Sequence, residues 1–185
     1  MKKLLALMIA ISMMAVLAGC GSKNGDAVSP EFESAEDLLS QVYDSYDEAE
    51  KFPIAGGDSE NMNMDEPGEF DIEKTEELEA MLGFPVDKIG NIDEAASMLH
   101  MMNANTFTCA AYHLTDNADM DELAGALKDS ILARQWICGM PDTLIIADAG
   151  DGYMVTAFGE AEIMETFKAN ITKLGIIVLE ESSIN

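Results

Sequence analysis

The chain has 185 residues, 48% of them hydrophobic, and 35 acidic side chains stand against ten basic ones for a formal net charge of −25. That apolar fraction excludes a wholly disordered acidic chain, and the length fits one domain with a leader and a tether. The charge argues against nucleic-acid binding, which needs clustered Lys and Arg, and against an electrostatic grip on anionic lipid.

Met1-Lys2-Lys3 is a short cationic start, and an apolar run from Leu4 to Ala18, interrupted by Ser12, follows it. The run is shorter than the roughly 20 residues that span hydrocarbon. It has the form of an export signal, removed from the mature chain. It ends in Leu17-Ala18-Gly19-Cys20, which resembles the lipobox of bacterial lipoproteins. The resemblance implies that residues 1–19 are a signal peptide cut between Gly19 and Cys20. It also implies a diacylglycerol in thioether linkage to the Cys20 sulfur. Two acyl chains hold stably where one does not, at about 0.8 kcal/mol per buried methylene. The expected location is the extracytoplasmic face of the cell membrane, with no cofactor beyond the covalent lipid.

Residues 20–33 are polar with Gly and Pro and read as a tether. A single domain is expected over 34–179. Ser34 suits a helix N-cap, and Leu38, Leu39, Val42, Tyr46 and Ala49 keep helical spacing, so a helix is expected over about 35–50. Residues 53–70 carry Gly, Pro, Asn and acids without a period and read as a long exposed loop. A second helix is expected over about 71–82, stopping at Gly83. Residues 96–102 and 105–115 read as strands around Asn103-Ala104, although Asp93-Glu94-Ala95-Ala96 could instead open a helix. Asp119 and Glu122 form a capping pair before an apolar stripe that runs to about Ile137. Residues 143–148 and 153–158 bracket Ala149-Gly150-Asp151-Gly152, a hairpin signal. A last helix is expected over about 160–174, then a short edge strand or tail at 176–179 and a tail at 180–185. The fold class is α+β: an antiparallel four-stranded sheet in ββαββα order with helices on one face, preceded by two helices.

The Arg134-containing helix, Asp142-Thr143-Leu144-Ile145-Ile146 and Gly152-Tyr153-Met154-Val155 carry a further likeness. Over about Asp37 to Ile171 the chain resembles an uncharacterised domain family of short lipoproteins from Gram-positive anaerobes. It departs from that pattern in Cys109, Cys138 and its Met-rich first strand. The resemblance implies fold and location and brings no activity.

Export permits a disulfide, and a helix returning antiparallel to the second strand would bring Cys138 near Cys109. Two buried thiols are the alternative. Met98, His100 and Met102 would share a strand face, and thioether and imidazole suit Cu(I), although Met also fills cores. Residues 26–94 hold 22 acids against three lysines. The run from Asp58 offers oxygens at alternate positions for Ca²⁺, but the EF-hand turn glycine is replaced by Asn63. No hydrolase, P-loop or dinucleotide motif is present. The expected function is non-enzymatic binding of an exported protein, a wall component or a small ligand. The alternatives are metal handling with Ca²⁺ or Cu(I) and, more remotely, hydrolysis.

Overall fold

The computed structural model describes residues 31–102, 106–136 and 139–184. The lipobox, with Gly19 and Cys20, lies outside them, as do Asn103-Ala104 and Cys138. The chain is mixed α and β around one antiparallel sheet.

Ser34 caps the first helix, α1 (Ala35–Asp44), by accepting the Asp37 amide. Glu94 from the sheet takes the Ala35 amide at 2.8 Å. Three short strands follow, β1 (Ile54–Gly56), β2 (Asn63–Met64) and β3 (Gly68–Glu69). α2 (Thr75–Leu82) ends on Gly83 at φ 73°, the left-handed stop its sequence predicts. A 3-10 turn over Val86–Asn91 leads into β4 (Ile92–His100) and β5 (Thr108–Leu114). β4 therefore takes the strand reading of this segment, beginning four residues before the predicted start. Asp119 caps α3 (Met120–Ala133) by accepting the Glu122 amide. β6 (Thr143–Gly150) and β7 (Tyr153–Gly159) form the predicted hairpin. Its two turn residues, Asp151 at φ 50° and Gly152 at φ 84°, have the positive φ that a two-residue turn requires. α4 (Ala161–Lys173) and β8 (Ile177–Ser183) complete the chain.

The sheet has eight strands among the described residues, not four. Its order is β2-β1-β4-β5-β7-β6-β8, with β3 also paired to β4. The four predicted strands are its interior. β1 to β3 come from the stretch read as a loop at 53–70, and β8 extends through the predicted tail. The backbone itself explains why 53–70 is ordered. β1 and β3 cross so closely that a Cβ on Gly56 would lie 2.1 Å from the Gly68 nitrogen, so glycine there marks a contact, not freedom. Buried Ser97 of β4 locks the crossing, accepting the Gly57 amide and donating to the Gly57 carbonyl.

The helices cover both faces of the sheet, not one. Leu38, Leu39 and Val42 of α1 and Met164, Phe167 and Ile171 of α4 pack with Met98, Cys109, Ala111, Val155 and Ala157. Leu78 and Leu82 of α2 and Leu123, Leu127 and Ile131 of α3 pack with Ala110, Tyr112, Ile146, Met154 and Phe158. Every residue of β7 is buried, so neither side of that strand is left to water. Leu127→Ala and Phe167→Ala, one from each layer, should each cost about 3 kcal/mol. Urea denaturation checks this; because both layers share one sheet, each variant should still unfold in a single transition.

Candidate functional site

Asp58 is the one buried acid among the described residues, 1% exposed. It sits just past β1 and joins three segments. Its Oδ1 accepts the Glu60 amide at 2.9 Å, the Asn61 amide at 3.1 Å and Lys74 Nζ at 2.7 Å. Its Oδ2 accepts Asn61 Nδ2 and the Asp71 amide. Burial alone would raise the carboxyl pKa, but the Lys74 ammonium and these amides outweigh it and hold Asp58 well below the usual carboxylate range. Lys74 also reaches Glu60 at 3.0 Å. Beside this junction Ser59 donates its amide and hydroxyl to Glu77 of α2. The hairpin between β1 and β2 is thus pinned to α2. Asp58, the expected first Ca²⁺ ligand, has its oxygens filled by protein donors.

The pinning builds an apolar groove. Register sets Met64 opposite Ala55 and Ala55 opposite Leu99, so these three share a sheet face with Met101. That is the face carrying α2 and α3, but both helices lie over the interior strands and leave the β2-β1-β4 edge open. Met62, Met64, Leu99 and Met101, with Met81 from α2, line a groove of about 230 Å³. Met62 and Met64 are 55% and 54% exposed. Met62 and Met64 fall in the expected loop at 53–70 and Met81 in the expected helix over 71–82. The MLHMM run is the only hint in the sequence; its strand parity puts Leu99 and Met101 on the groove face, and His100 also lines the groove while its ring stacks on Phe52.

The residues expected for Cu(I) do not converge. Met98 is buried under α1, and Met102 is 61% exposed beyond the end of β4. The His100 ring stacks on Phe52 at 4.9 Å, and its Nδ1 accepts the Met102 amide. Burial lowers the His100 pKa, which favours neutral imidazole. Among the described residues no three His, Cys, Asp or Glu side chains are grouped to hold a metal ion.

Cys109 is a buried free thiol, its pKa pushed far up by burial. It faces the α1 and α4 layer, whereas α3, which leads toward Cys138, covers the opposite face. Cys138, the expected partner of Cys109, lies outside the described residues. Arg134 lies just past α3, not inside it. It donates to the carbonyls of Met81 and Ala80 at the end of α2 and stacks over Trp136 at 4.8 Å.

A second cleft, of about 400 Å³, is lined by acids including Asp58, Asp71, Asp93 and Glu94. Protein donors already hold them: Asp93 contacts His113 at 2.6 Å, Asp71 accepts the Glu73 amide, and Glu94 accepts the Ala35 amide. No helix of the described residues is long and apolar enough to cross a membrane. In comparisons with known proteins, no family model, curated protein or solved structure matches the chain.

Asp58→Ala should lower stability by about 2–4 kcal/mol, because Lys74 and three amides lose their acceptor in a buried place. The pH dependence has a definite sign. A depressed carboxyl contributes fully above its unfolded value of about 3.9 and loses that contribution as pH falls toward its folded value. Wild-type stability should therefore drop below about pH 4 more steeply than that of Asp58→Asn, measured by urea denaturation across pH.

Proposed function

We propose that this chain is an exported, lipid-anchored domain of the extracytoplasmic membrane face, and that its work is non-enzymatic binding through the methionine-lined groove. The observation that carries the binding reading is the open groove at the β2-β1-β4 edge, walled by flexible thioethers on a hairpin pinned by Asp58. Thioethers are soft and unbranched and adapt to apolar partners of different shape. The anchor rests on Leu17-Ala18-Gly19-Cys20 after a cationic start and an apolar run. The likeness to short Gram-positive lipoproteins points the same way.

Two experiments separate the two halves of this reading. Cells making the full chain and fed an alkyne fatty acid should label it and expose it to added protease; Cys20→Ser should abolish the label. An unlabelled, protease-shielded wild-type chain would end the anchoring half. For the groove, the neutral dye Nile red should brighten on the folded chain and lose most of that signal in Met62→Lys/Met64→Lys. An unchanged signal in the variant would remove the groove as the contact surface.

A further inference from the structure

We infer that the groove receives the single bulky apolar side chain of a cationic amphipathic segment; this rests on the binding function proposed above. A volume of about 230 Å³ is smaller than a typical small-molecule site and suits one large side chain as an anchor. Charge then selects what carries that anchor. Glu60, Asp65 and Glu66 are exposed on the same hairpin as Met62 and Met64. Lys74 offsets Glu60, which it meets at 3.0 Å, whereas no ion pair among the described residues holds Asp65 or Glu66. Lys74 is held by Asp58 and Glu60, and the other lysines of the described residues are engaged elsewhere. Arg134 is turned onto the end of α2.

The other occupants fit less well. A second copy would bring another charge of −25 against this one, and an anionic lipid surface would be repelled in the same way. Addition of a strand is disfavoured because β2 offers only two residues, Asn63 and Met64. What remains is an apolar anchor flanked by Lys or Arg, drawn by the acidic rim and held by the thioethers.

The test uses the full chain bearing Cys20→Ser, so that no lipid competes, and three synthetic peptides of about 14 residues, long enough for several helical turns. One combines Leu, Lys and a single Trp, one replaces each Lys by Glu, and one keeps the Lys but replaces Leu and Trp by Ser. At about 0.15 M salt the Leu/Lys peptide should bind at least about tenfold tighter than either control, read by calorimetry. Met62→Lys/Met64→Lys should erase that advantage without lowering Tm, since both side chains are already more than half exposed. Equal binding of the Lys/Ser peptide would reduce the effect to diffuse charge and overturn the inference. Equal binding of the Leu/Glu peptide would also overturn it while leaving the groove intact, as the Nile red signal would confirm. A dimer in sedimentation that the methionine changes dissociate would assign the groove to a second copy and overturn it too.

Discussion

Burial of the sheet on both faces is the constraint from which the rest follows. β5 and β7 lie between two helical layers, so their residues on either side must be apolar or small. Ala110 and Ala111 on β5 and Ala157 on β7 let the helices approach closely, while Tyr112 and Phe158 fill the wider spaces. A sheet packed in this way has no room for charge. The acids are displaced to the helix surfaces, the turns, the edge strands and the ends of the interior ones, and among the described residues Asp58 alone is buried, with a lysine and three backbone amides as partners. The strong negative charge is therefore a property of the periphery, compatible with a dense and ordinary core.

Local chemistry was the legible part of the fold. Ser34, Asp119, Gly83 and Asp151-Gly152 each act through the next few residues, and each does in three dimensions what its neighbours in sequence imply. The unbroken apolar character of TLIIA and YMVTAF carries the two-sided burial as well as the strand. The short strands were illegible for a physical reason. Two or three residues cannot display a period of two, and β1 and β3 exist because of β4, tens of residues away, with β2 paired in turn to β1. β8 was masked by Glu180 and Glu181. Those acids sit within a strand because Lys128 of α3 and Lys168 of α4 meet them, one from each helical layer.

The groove shows the same division between local and distant signals. Methionine abundance was visible in the composition, but a surface made by residues 62, 64, 81, 99 and 101 depends on how one hairpin docks against one helix. Asp58 and Lys74 fix that docking, with Ser59 and Glu77 beside them. Reading Asp58 as a cation ligand was reasonable from its neighbours in sequence. In the fold the cation it holds is the Lys74 ammonium, and the product of that pairing is a rigid wall for flexible thioethers. A rigid frame with adaptable lining lowers the ordering cost of binding while leaving the partner's shape loosely specified.

On the proposed reading, the acidic rim and the lipid anchor solve one problem between them. Exposed methionines held near a bilayer would tend to settle into it and close the groove. Basic residues around them would strengthen that tendency by about 1 kcal/mol each near an anionic surface, and acids act in the opposite sense. Asp65 and Glu66 would therefore hold Met62 and Met64 off the membrane that the acylated cysteine would keep close. Attachment is then left to the acyl chains, which act through burial of methylenes and are indifferent to charge. The charge of the domain becomes free to discriminate among partners, and the same acids that repel the lipid surface favour a cationic segment arriving from the other side.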